Sequence, residues 1–117
     1  MRRSGVYAIR SVITGDCYVG SSQDVDKRVH EHFVRLRRGA HNARFQTAWR
    51  QYGEAAFTGE ILEIVPWLLL EERERHHFNL RRPAYNATTG IWRDRDLESE
   101  RRRVVQHHRQ KKGEASE

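Results

Sequence analysis

The sequence predicts an α+β domain with its elements in the order β-β-α-α-β-α, and three observations predict it. Two short runs rich in aromatic and β-branched residues, Ser4–Val12 and Cys17–Gly20, flank the turn signal Thr14-Gly15. Apolar residues then recur at helical spacing in two stretches, closed by Gly39 and by Gly53. A third strand-like run, Phe57–Val65, stops at Pro66, after which the helical pattern returns as far as Arg81-Arg82-Pro83.

The hairpin comes first. A two-residue loop at Thr14-Gly15 pairs Ser11 with Tyr18, and strand alternation then places Tyr7, Ile9, Ser11 and Tyr18 on one face. A slip of one residue would separate the two tyrosines. Half-buried core packing is the commoner use of such a pair.

The next stretch organises the rest of the chain. Asp24 is placed as an N-cap and Gly39 lies just past the end of the helix. Val25, Val29, Phe33 and Leu36 form one apolar stripe, and at about 100° per residue Arg28 and His32 fall beside it, one turn apart. Solvated edge residues would show the same spacing. A basic side chain and an imidazole bordering a buried seam are also placed to line a cleft. After Ala40-His41-Asn42, Asn42 caps a second helix that carries Phe45, Ala48, Trp49 and Tyr52. Ile61, Leu62, Ile64 and Val65 make the third strand read as a covered central one.

The helix from Trp67 to about Leu80 carries an anomaly. Trp67, Leu70, His77 and Phe78 project on one side with Glu74 among them, while Glu71 and Glu72 fall toward water. A carboxylate in an apolar arc is costly unless it is paired, hydrogen-bonded or bound to a metal. Glu74 is thus either half of a structural ion pair with an arginine or a working group. Ala84-Tyr85-Asn86 enters a turn or short strand. From Asp94 only Leu97, Val104 and Val105 are sizeable apolar residues. The chain therefore divides into a domain at 1–93 and a basic, polar C-terminal helix or flexible tail at 94–117.

Composition bounds the function classes. Lys and Arg number 22 against 16 Asp and Glu, a net charge of +6 that favours a polyanionic partner, most simply nucleic acid. Cys17 is the single cysteine, which excludes an internal disulfide framework, weighs against a Cys/His zinc site and makes a reducing, cytoplasmic setting the default. The basic N-terminus is followed by no apolar run, so no signal peptide is expected. Trp67–Leu70 is far too short to span a bilayer. There is no Walker loop, no G-x-G-x-x-G and no G-x-S-x-G. His76-His77 and His107-His108 are poor chelators, because helical neighbours diverge by about 100°.

The marked residues form an ordered set. Gly5-Val6-Tyr7 and Tyr18-Val19-Gly20 lie across the hairpin turn, Arg28 is followed by His32 and Phe33, and Glu74 stands twelve positions before Asn86. This set resembles the GIY-YIG nucleases. Gly39, His41, Gln46 and Tyr52-Gly53 make it similar to the branch that holds phage homing endonucleases. The resemblance spans Ser4 to about Gly90. It departs from the family where valine replaces isoleucine in both tripeptides and where histidines precede Phe78.

The resemblance implies a small three-stranded, largely antiparallel sheet flanked by helices, and an intracellular enzyme, phage-encoded relatives included, that hydrolyses phosphodiester bonds in DNA. It also implies roles. Glu74 holds one divalent metal, Mg2+ or Mn2+, in a single-metal route. Arg28 grips the scissile phosphate, and Tyr7 acts as general base or orients the water. Tyr18 and His32 hydrogen-bond to water or phosphate, His41 assists them, and Asn86 orients its neighbours. The alternative is a non-catalytic nucleic-acid-binding module derived from a nuclease. Target sequence, biological role and oligomeric state stay open at this level.

Overall fold

The computed structural model describes residues 2–88, 90 and 92; the segment expected as a tail, 94–117, lies outside them. Three strands, β1 (Gly5–Ser11), β2 (Cys17–Ser22) and β3 (Phe57–Ile64), form one sheet in the order β2-β1-β3, with both pairings antiparallel. The central strand is therefore β1, and the expectation of a covered central strand at Phe57–Val65 is corrected. β3 lies at an edge, with Ile64 55% exposed. A register irregularity opposite Val6 and Tyr7 breaks its inside–outside alternation, which is how Ile61 and Leu62 come to be adjacent apolar residues on an edge strand.

The hairpin register also differs from the sequence reading. Tyr7 pairs with Gly20 and Ile9 with Tyr18, two residues away from the expected Ser11–Tyr18 pairing. The turn is longer because Ser11 N–H donates to Asp16 O and Gly15 N–H to Ser11 O, while the Ser11 hydroxyl accepts from Ile13 and Thr14 N–H. A shift of two preserves parity, so Tyr7, Ile9 and Tyr18 still share a face.

Helix α1 (Val25–Arg37) starts where the Asp24 carboxylate accepts from Lys27 N–H, and Gly39 follows its end at φ +72°. Helix α2 (Ala43–Tyr52) is capped by Asn42, whose side chain accepts from Phe45 N–H, and stops at Gly53. A short 3₁₀ turn, Trp67–Leu69, precedes α3 (Leu70–Arg81). That turn breaks the helical phase, so Trp67 is 61% exposed instead of joining the buried stripe with Phe78.

The sheet separates two cores. On one face Tyr7 and Ile9 pack with Val25 and Leu36 of α1, Phe45 and Trp49 of α2, and Tyr85. On the other, Val6, Ala8, Cys17 and Val19 form a smaller cluster beside α3. Glu63 of β3 clips α3 to this face by accepting from Arg73 Nε and pairing with His77 Nε2, each at 2.9 Å. Among the described residues no helix is long and apolar enough to cross a membrane.

Candidate active site

The site grows from Tyr7 at the middle of the central strand. Its ring lies across Gly20 on β2, where an added Cβ would stand 2.5 Å from the Tyr7 oxygen. Only a glycine leaves room there. Gly5 serves the same strand differently, since a Cβ at that position would overlap the backbone oxygen of Glu63. The Tyr18 ring stacks beside Tyr7 at 6.5 Å.

Helix α1 delivers His32 to this pair. The helical wheel put His32 at the edge of the apolar stripe, but it is fully buried. The reason is tertiary: Tyr18 and the loop carrying His41 close over it, with ring centroids at 4.7 and 4.9 Å. The Tyr7 oxygen lies 2.6 Å from His32 Nε2, and His32 Nδ1 lies 2.7 Å from His41 Nε2. His41 Nδ1 in turn accepts the Asn42 backbone N–H at 2.8 Å. Gln46 holds this loop from below. Its Oε1 accepts from His41 N–H and its Nε2 donates to Leu36 O. Sequence reasoning gave Gln46 no role at the site; a buried amide on the apolar face of α2 was the available signal.

Arg28 is half-buried on α1, one turn before His32, donates to Glu31 at 3.2 Å, and acts on the Tyr7 hydroxyl by its charge. Glu74 arrives from α3, on the opposite face of the sheet. The Ser21 hydroxyl donates to its Oε1 at 2.5 Å, so among the described residues the partner is a hydroxyl at the end of β2 rather than an arginine. Ser21, directly after the second tripeptide, was not singled out from the sequence. Asn86 stands apart from the ring cluster. Its amide accepts from Val19 N–H and donates to Val19 O, each at 2.9 Å, closing the outer edge of β2.

Burial sets the charge states. It pushes the Tyr7 hydroxyl well above the ordinary tyrosine range, with Tyr18 and Glu74 adding to the rise and Arg28 opposing it. Tyr18 is raised too, again mainly by burial. His32 is lowered to about 3 by burial and then by Arg28, and His41 to about 4 by burial and then by Arg35. Both imidazoles are therefore neutral at pH 7. Burial raises the Glu74 carboxyl above its usual range, against the Ser21 hydrogen bond.

Among the described residues no three His, Cys, Asp or Glu side chains gather as a metal cage. A half-buried carboxylate with a hydroxyl neighbour suits a hard divalent ion that keeps most of its waters. Tyrosines, neutral imidazoles and an arginine on one side, and a carboxylate on the other, can together bind an anion, orient a water and hold one cation.

Comparison with known proteins finds relatives of this chain. A model of the GIY-YIG catalytic domain matches residues 3–89. Intron-associated endonuclease 1 of Enterobacteria phage T4 is 36% identical over 75 residues, covering 62% of this chain. The chain spans 30% of that relative's length. Two solved structures of the catalytic domain of intron endonuclease I-TevI superpose with TM-scores of 0.68 and 0.69, at 29% and 30% identity. They cover 78% and 74% of this chain, and 99% of each of theirs.

Proposed function

The chain belongs to the GIY-YIG family, and on that premise we propose that it is a divalent-metal-dependent endonuclease hydrolysing phosphodiester bonds in DNA. The observation that carries this reading is the hydrogen-bonded series Tyr7–His32–His41, its first two rings fully buried and the third half-buried, with Arg28 acting on its tyrosine end. A core that needed only packing would not line up three hydrogen-bonded polar rings, because each buried polar atom costs free energy until it is partnered.

In this reading Arg28 grips the scissile phosphate through its planar fork. Tyr7 orients the attacking water and takes its proton, while Tyr18 adds a hydrogen bond to water or phosphate. His32 and His41 fix the position of Tyr7, and Asn86 fixes β2. Glu74 would hold the ion, Mg2+ or Mn2+, whose positive charge, when bound, offsets negative charge on the phosphate and favours ionisation of nearby acids. Tyr7 sits above its ordinary range in the protein alone, so its activity as a base depends on added positive charge at the cleft. The segment at 94–117, with its run Arg101–Lys112, adds affinity for the DNA backbone without sequence preference.

The test is single-turnover cleavage of plasmid DNA with magnesium or with chelator, using the whole chain, Tyr7→Phe and Glu74→Ala. Tyr7→Phe keeps its ring, so the fold and DNA binding are expected to survive while the rate falls by roughly two to four orders of magnitude, the scale of a lost general base. Matching rates in wild type and Tyr7→Phe would remove Tyr7 from the chemistry. Binding without any magnesium-dependent cleavage by the wild type would favour the non-catalytic module.

A further inference from the structure

The three-ring series has a direction, and one backbone amide sets it. A backbone N–H can only donate, so His41 Nδ1, at 2.8 Å from Asn42 N, must present its lone pair. A neutral His41 then carries its proton on Nε2. That atom lies 2.7 Å from His32 Nδ1, so His32 Nδ1 must also present a lone pair. The proton of His32 is left on Nε2, aimed at the Tyr7 oxygen 2.6 Å away. An extra proton on either imidazole would set N–H against N–H somewhere along the series.

We infer that the Asn42 backbone N–H locks His41 and His32 into their Nε2–H tautomers, making His32 a fixed hydrogen-bond donor to Tyr7 and not an acceptor of its proton. His41 and Asn42 are then positioning residues for Tyr7. Gln46 holds the loop in register by accepting from His41 N–H. The low titration of both rings agrees with this assignment: burial, together with Arg28 and Arg35, keeps each one neutral. The consequence concerns the route of the proton. With His32 donating, the Tyr7 oxygen keeps its own proton on another side, and any exchange occurs toward the cleft, where Arg28 acts on it. The inference rests on the reading of Tyr7 as part of a hydrolytic site, but its first test does not use cleavage.

Imidazole nitrogen NMR on the ¹⁵N-labelled full chain at pH 7 reads the tautomers directly. Both His32 and His41 should carry hydrogen on Nε2 alone. A proton on Nδ1 of either ring, or an imidazolium at either, overturns the lock. His41→Gln offers an amide donor toward His32 and is expected to keep the His32 Nε2–H signature, with a smaller loss of single-turnover rate than His41→Phe. His41→Phe leaves His32 Nδ1 without its hydrogen-bond donor, so its signals should no longer report a single fixed tautomer and the rate should drop about tenfold, the scale of one lost hydrogen bond. Identical spectra and rates in the two variants overturn the positioning role. Nε2–H tautomers in a protein that does not cut DNA would leave the lock standing and defeat the nuclease reading instead.

Discussion

Gly20→Ala adds one methyl group at the tightest point of the site. Gly20 is absent from the positive-φ glycines, so its backbone accepts alanine, and the effect comes from space alone. The new Cβ would stand 2.5 Å from the Tyr7 oxygen and 2.7 Å from the ring carbon that bears it. Carbon contacts are ordinarily about 3.5–4.0 Å, so the ring must retreat by about 1 Å. It cannot do so and keep the 2.6 Å bond to His32, which is itself fully buried. Overpacking of this kind costs about 1–3 kcal/mol, partly offset by about 0.4–1 kcal/mol from the stiffer unfolded chain. The net loss of stability is small, whereas a 1 Å misplacement of a reacting group costs roughly a hundredfold in rate. Thermal unfolding and single-turnover cleavage on the same preparation separate the two effects. A folded Gly20→Ala protein that cleaves within about threefold of wild type would refute the placement of Tyr7. Gly5→Ala is the contrasting change, since its Cβ meets the backbone of Glu63 and should act on sheet stability first.

Three further predictions concern charge. Ser21→Ala removes the hydroxyl that holds Glu74 Oε1, so the magnesium concentration for half-maximal cleavage should rise about tenfold, and an unchanged midpoint would exclude a positioning role. Glu74→Gln should abolish cleavage yet raise thermal stability at pH 7 without metal. The folded carboxyl is raised, so its favourable contribution is present at low pH and lost as pH rises through the folded value; a clear drop in Tm would contradict this. His32 and His41 are depressed to about 3 and about 4, so the unfolded chain binds more protons below its ordinary histidine value of about 6.5. Stability is fully present above that value and falls as pH drops toward 4 and then 3, by up to roughly 1.4 kcal/mol per pH unit per histidine. Denaturant titrations of wild type and His32→Asn from pH 7 to 4 check it, and equal slopes would refute it.

Local signals made much of the fold legible. Asp24, Gly39, Asn42 and Gly53 mark helix ends because capping is satisfied within a few residues of the chain. The shared face of Tyr7 and Tyr18 survived a wrong register because a two-residue error preserves parity. What escaped was set by distant parts of the chain. Strand order is not written in β3, so its apolar run gave no sign that it lies at an edge. The burial of His32 depends on His41 and Tyr18 closing over α1, which a helical wheel does not contain. Glu74 looked like a carboxylate in need of a partner, and the partner was a serine 53 positions away.

Asn86 tests how the two sides of the sheet are held together. The rings lie on the face of α1 and α2, Glu74 comes from the face of α3, and β2 carries Tyr18 toward one and Ser21 toward the other. Nothing aligns the two sets unless β2 is fixed. One of its edges is paired with β1; along the other, Tyr85 N–H donates to Cys17 O and the Asn86 amide closes on Val19. A side chain here does the work of a fourth strand. Asn86→Ala leaves the N–H and C=O of fully buried Val19 unpartnered, at about 1–3 kcal/mol for each group that stays dry. Asn86→Asp keeps the acceptor for Val19 N–H but sets a carboxylate against Val19 O, so it should be no better. Both variants should lose stability, and the cleavage rate and the apparent magnesium affinity should fall together, because the shift moves Tyr18 and Ser21 at once. Loss of rate with unchanged stability and magnesium affinity would mean that Asn86 touches the reacting groups and does not merely hold the strand.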